Sequence, residues 1–169
     1  MKKILLKFIS YVLILGAILA GLILFNLNFP ADNALVIAAS LGEDRPAISQ
    51  IGPPPRQKLE NDDQLILDSP VYFDVRTLPW FKQARIELIY QEGERKLIEL
   101  GGQVGPGWQY YLVKPVSVIS LADGWQKATF YFDLQILLKP KNLTRFLIST
   151  SGQPQDQLKI KALAVTLLR

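Results

Sequence analysis

The chain has no cysteine and no histidine among its 169 residues. Without cysteine it has neither disulfides nor thiolate metal ligands. Without histidine it has no Ser-His-Asp triad, no imidazole acid–base chemistry and no imidazole-ligated metal. Charge is missing from one long stretch, since Phe8 to Phe25 carries none over 18 residues. At about 1.5 Å rise per residue that run covers about 27 Å, close to the hydrocarbon thickness of a bilayer. A buried helix of a soluble domain rarely stays apolar on every face for so long. The run is therefore expected to be a transmembrane helix at 8–25, preceded by a cytoplasmic stub at 1–7.

Lys2, Lys3 and Lys7 lie before the run, and the next basic residue is Arg45. This asymmetry puts the N-terminus in the cytoplasm and the bulk of the chain outside, anchored in a cytoplasmic membrane of bacterial kind. A cleaved signal peptide shares the Lys-rich start. Here, however, the apolar run is longer than usual, and its small residues from Ala17 to Gly21 sit inside it. Gly16 with Ala20 and Ala17 with Gly21 would also let a second helix pack closely, so a membrane-protein partner is an open alternative.

The formal charge of +4 reflects 19 basic and 15 acidic residues. Setting aside the three lysines of the stub leaves 16 against 15, a balance that offers no attraction for nucleic acid. After the apolar run, residues 26–63 form a juxtamembrane segment, with a possible first strand at 33–41. It is followed by a stretch holding Pro46, Pro53, Pro54 and Pro55 that reads as an extended arm.

From Gln64 onward the hydrophobic period becomes two. Val71, Phe73 and Val75 alternate with Tyr72, Asp74 and Arg76, and Ala84, Ile86, Leu88 and Tyr90 alternate with Arg85, Glu87, Ile89 and Gln91. Phe130, Phe132 and Leu134 alternate with Tyr131, Asp133 and Gln135. Leu158 and Ile160 fall out of phase with Leu163, Val165 and Leu167, so a one-residue bulge is expected near Ala162. Turn signals at Thr77-Leu78-Pro79, Glu92-Gly93-Glu94, Gly105-Pro106-Gly107, Asp123-Gly124 and Ser151-Gly152 divide the segment into seven or eight short strands. The expected fold class is all-β, a sandwich occupying 64–169.

The strands Ala128-Thr129-Phe130-Tyr131-Phe132-Asp133-Leu134 and Leu158 to Leu167 resemble those of galactose-binding-type jelly rolls, the scaffold of many carbohydrate-binding modules. The resemblance covers 64–169 and includes no ligand motif, so it implies architecture and carries over no binding residue.

Two sets of residues are candidates for a binding site. Tyr-Phe-Asp occurs at Tyr72-Phe73-Asp74 and again at Tyr131-Phe132-Asp133. If both strands lie in one sheet, Tyr72, Asp74, Arg76, Tyr131, Asp133 and Gln135 form a patch suited to stacking on a sugar and binding its hydroxyls. The plainer reading is ordinary cross-strand pairing on a solvated face. The second set is the loop tryptophans: Trp80 and Trp108 are expected to be the more exposed, while Trp125 plugs an open end of the core. Asp74 and Asp133 could serve as an acid–base pair only across a cleft, of which the sequence gives no sign, so no enzyme activity is expected. Asn61-Asp62-Asp63 has no calcium-loop spacing, and no metal or cofactor is expected. The leading expectation is an anchored module that recognises glycan or another envelope component. The alternative is an accessory subunit of a transporter or secretion complex.

Overall fold

The computed structural model describes residues 2–26, 33–153 and 155–169, and within the N-terminal helix the side chains of 7–23. Helix α1 (Lys2–Asn26) starts before the expected span and ends one residue after it. Every described side chain of α1 is exposed, so the helix is apolar towards its surroundings on all sides. Among the described residues no helix is long and apolar enough to cross a membrane. The transmembrane helix expected at 8–25 is therefore not supported by the described residues.

The rest is a jelly-roll-like β-sandwich. One sheet contains β1 (Ala34–Ala38), β2 (Gln57–Glu60), β3 (Asp63–Ile66), β5 (Gln83–Glu92), β8 (Ser117–Ser120), β9 (Gln126–Asp133) and β11 (Leu158–Leu168), in the order β2-β3-β11-β5-β9-β8. β1 pairs with the second half of β11, on the edge whose first half pairs with β3. The other sheet runs β4-β10-β6-β7, from β4 (Val71–Arg76), β10 (Leu143–Ser151), β6 (Lys96–Gln103) and β7 (Tyr110–Val113). All these pairings are antiparallel.

The period-two pattern accounts for the core. Val71, Phe73 and Val75 of β4 are buried, as are Ala84, Ile86, Leu88 and Tyr90 of β5. Phe146 on β10 joins the sheets: its ring stacks on Phe73 at 5.6 Å and meets Phe132 of the opposite sheet edge-on at 5.2 Å. In β11 the register shifts between Ile160 and Ala162, and this brings Leu163, Val165 and Leu167 back onto the core face after Leu158 and Ile160.

The sandwich begins well before Gln64. Besides β1, the Pro-flanked arm runs antiparallel beside β4. The Ser49 amide donates to the Asp74 carbonyl (2.8 Å), and Gly52 and Tyr72 exchange both backbone hydrogen bonds (2.9 and 2.8 Å). Ile48 and Ile51 are buried in the core from this arm. Alternation had marked the boundary at Gln64 because the arm has too few paired residues to show a period; its burial comes from isolated side chains.

Removing the Phe146 ring should cost about 3–5 kcal/mol of stability, because it packs against both sheets and leaves a cavity. Denaturant unfolding of Phe146→Ala, followed by near-UV circular dichroism, measures this. Tyr131→Ala, outside the core, should stay within about 0.5 kcal/mol of the parent.

Candidate functional site

Because Phe73 and Phe132 enter one core from opposite sheets, the polar phases beside them point away from each other. Tyr72, Asp74 and Arg76 lie on the outer face of the β4 sheet. Tyr131 and Asp133 lie on the outer face of the β5–β9 sheet, with Gln135 in the turn after them. The expected single patch is therefore two separate surfaces. On the second, Asp133 Oδ1 accepts the Gln135 amide (2.8 Å), and a shallow groove of about 390 Å³ is lined by Lys82, Gln83, Tyr131 and Gln135 among others.

The first surface holds the more elaborate arrangement. Arg145, opposite Asp74 in the β10–β4 register, donates from Nε to Oδ1 and from Nη2 to Oδ2, both at 2.8 Å. This fork leaves the two Nη1 protons for another acceptor. The guanidinium also lies over the Tyr72 ring, its carbon 4.8 Å from the centroid. The bond to Asp74 raises the Arg145 pKa above its ordinary value against the opposing effect of burial, so the guanidinium stays protonated. The arm steadies the acidic partner, since Ser49 Oγ accepts the Asp74 amide (2.8 Å).

An apolar floor runs beside this pair. In register across the sheet stand Gly52, Tyr72, Leu147, Gly101 and Leu112. Leu147 alternates with the core residues Phe146 and Ile148 and so points outward, yet it is only 6% exposed. Its neighbours on the face must cover it. Gly101 makes room for one of them: a Cβ there would lie 3.2 and 3.3 Å from Cβ and Cδ1 of Tyr110, closer than side chains normally pack. Trp108 continues the strip, its ring 6.3 Å from that of Tyr110 and inclined by 40°, and it is 70% exposed. Gln103 Nε2 donates to the Gly107 carbonyl (3.0 Å) and ties down the loop that carries Trp108.

Of the residues singled out in the sequence, Tyr72, Asp74, Arg76 and Trp108 therefore share this face. Trp80 lies in the β4–β5 loop, tilted against Phe81 (6.3 Å, 50°). Trp125 is partly buried, with Lys161 Nζ 5.2 Å over its ring. Sequence reasoning missed Arg145 and Leu147. In β10 the buried phase is Thr144, Phe146, Ile148 and Thr150, which leaves Arg145, Leu147 and Ser149 together on the outer face. Asn61 and Asp62 both have positive φ (51° and 66°), so this pair forms the tight hairpin between β2 and β3.

No family model and no curated protein matches the chain. Among solved structures it is similar to a xylan-binding module of CBM15, with a TM-score of 0.53 and 15% identity over 79% of this chain and 96% of that one. A CBM4 module (TM-score 0.44, 12% identity, 81% and 90% covered) and a CBM35 module from Cellvibrio japonicus Abf62 (0.43, 14%, 78% and 91%) are similar to a lesser degree. At these identities the likeness concerns the fold, which is that of carbohydrate-binding jelly rolls.

Burial raises the Tyr110 phenol above its ordinary value of 10.0, with Asp74 and Tyr72 adding to the shift and Arg145 opposing it. Burial likewise raises Tyr90, whose hydroxyl donates to Gln126 Oε1 (2.8 Å). A raised folded value means that the neutral phenols contribute stability below pH 10, lost as pH climbs through the folded values. In an alkaline titration followed by phenolate absorbance, Tyr110→Phe should delete a late-ionising step; loss of an early step would contradict the burial of this ring.

Proposed function

We propose that the chain is a membrane-tethered, extracytoplasmic glycan-binding module whose binding surface is the outer face of the β4-β10-β6-β7 sheet. The observation that carries this reading is the strip Tyr72, Leu147, Tyr110 and Trp108 with the Arg145–Asp74 fork beside it. Aromatic and apolar surfaces accept the C–H face of a pyranose ring. A carboxylate held by a guanidinium keeps lone pairs for a hydroxyl donor, while Nη1 serves a hydroxyl acceptor. The paired charges cancel, which suits a neutral polysaccharide over an anionic one. The xylan-binding description of the CBM15 structure supports the same ligand class. Among the described residues this face is open, which favours binding without catalysis.

The tether rests on the charge pattern of the sequence. Phe8 to Phe25 is free of charge, the helix continues through it from Lys2 to Asn26, and its described side chains are all exposed. An apolar helix with no protein cover is stable in lipid and a liability in water.

Binding of the full chain, in detergent or nanodiscs, to xylan and other neutral β-glycans tests this reading by affinity electrophoresis or calorimetry. Tyr72→Ala, Tyr110→Ala and Trp108→Ala should each weaken binding about tenfold, the equivalent of about 1.4 kcal/mol, while Tyr131→Ala on the opposite face leaves it unchanged. Equal losses from both faces, or full binding by the strip variants, would contradict the placement. Retention of a fixed membrane-protein partner with no polysaccharide bound would favour the accessory-subunit alternative.

A further inference from the structure

The two ends of the sandwich differ in charge and in exposed apolar surface. β1 enters the fold at Ala34, opposite Leu168, and the Arg169 amide donates to the Asn33 carbonyl (3.1 Å). Three loops lie at this same end. The β4–β5 loop (77–82) is held by Lys82 N to Leu168 O (2.8 Å), and the β9–β10 connection (134–142) by Leu134 N to Lys82 O (2.7 Å). Leu138 N to Gln103 O (2.7 Å) brings in the β6–β7 loop (104–109). These loops contain Lys82, Lys139 and Lys141 and no aspartate or glutamate. The acids at this end are Asp133, which lines a groove with Lys82 and acts on Lys139, and Glu43 and Asp44 of the neighbouring connection that meets Arg76 through Pro46. None of the three lysines forms an ion pair among the described residues. The same loops expose Trp80 (38%), Ile136 (50%) and Leu138 (37%).

The opposite end has the other sign. Its connections contain Asp68, Glu94, Asp123 and Asp156. Of the two arginines there, Arg56 pairs with Asp68 (3.7 Å), and Arg95 is buried (2% exposed) and donates to the Leu67, Gln153 and Asp156 carbonyls and to Thr150 Oγ1. The loops of the two ends thus differ in charge, and the more basic, apolar-tipped end is the one at which β1 begins.

We propose that this end rests on the surface of an anionic bilayer, with Lys82, Lys139 and Lys141 among the lipid headgroups and Trp80, Ile136 and Leu138 at the interface below them. The inference rests on the tether proposed above. Connectivity enforces the proximity: between Asn26 and Asn33 the chain reaches at most about 25 Å. Charge complementarity sets which end turns down, since basic side chains gain from a negative surface within about a Debye length while the acidic end is repelled. Trp at the headgroup level and apolar loop tips just beneath it complete an interfacial footprint.

The experiment uses the full chain in nanodiscs made with acyl-chain-brominated lipid, either zwitterionic or mixed with anionic phosphatidylglycerol. Two variants are compared, one with Trp80 as its sole tryptophan (Trp108→Phe with Trp125→Phe) and one with Trp125 as its sole tryptophan (Trp80→Phe with Trp108→Phe). Trp80 fluorescence should be quenched several-fold more than that of Trp125, and more strongly in anionic than in zwitterionic discs. In the first variant, charge reversal by Lys82→Glu, Lys139→Glu and Lys141→Glu should remove the anionic-lipid increment while circular dichroism stays that of the β-fold. Equal quenching of Trp80 and Trp125 in a chain that remains in the discs overturns the docking and leaves the tether standing. A chain recovered outside the discs overturns both.

Discussion

Phe146 decides which residues are free to do anything else. Its ring is stacked on Phe73 in its own sheet and set edge-on against Phe132 in the other, so the two sheets are locked face to face through three aromatic side chains. Aromatic pairs at 5–6 Å add to the large apolar area each ring removes from water. Once these rings are committed inward, the pleat sends Tyr72, Asp74, Arg145 and Leu147 outward with no further choice, because successive side chains on a strand face opposite ways. The separation of the two Tyr-Phe-Asp segments onto opposite surfaces follows from the same contact.

The proposed glycan face is built on strands braced at both borders. On one side the arm from Ala47 to Gly52 supplies Ser49 Oγ to the Asp74 amide and covers the edge of β4 that would otherwise present unpaired backbone groups. On the other, Gly101 lets the Tyr110 ring settle against the β6 backbone, and Gln103 fixes the Trp108 loop. Side chains held this way lose little further freedom when a ligand arrives, and that loss is a main cost of binding. Buried Arg95 plays a comparable part at the acidic end. Four hydrogen-bond partners, three carbonyls from two connections and the Thr150 hydroxyl of β10, converge on one guanidinium and draw that end shut.

Strand alternation made much of the fold legible in the sequence. The core residues of β4, β5 and β9 and the register shift in β11 follow from it, and eight strands, β4 to β11, follow Gln64. The contribution of the arm was not legible, because Ile48 and Ile51 are buried singly between prolines and show no period. The site was half legible. Alternation assigns each residue to a face of its own strand but leaves open which strands are neighbours. Pairing of β4 with β10, distant in the chain, brings Arg145 to Asp74; repeated Tyr-Phe-Asp had pointed instead to β9. A shared motif marked a shared job, filling the core with phenylalanine, and only secondarily a shared surface.

Strand direction also relates the two proposed contacts. The strands run from the basic end to the acidic end, and the row from Gly52 through Tyr72, Leu147 and Gly101 to Leu112 crosses them. Tyr72 stands four residues above Arg76, where β4 reaches the basic loops, which is about 13 Å at strand rise. With that end on a bilayer, a polysaccharide following the row would lie parallel to the membrane, one to two nanometres above the headgroups. The floor of the site is then set by sheet geometry and its height by loop charge. These are separate sets of residues, so orientation on lipid and affinity for sugar can be altered independently.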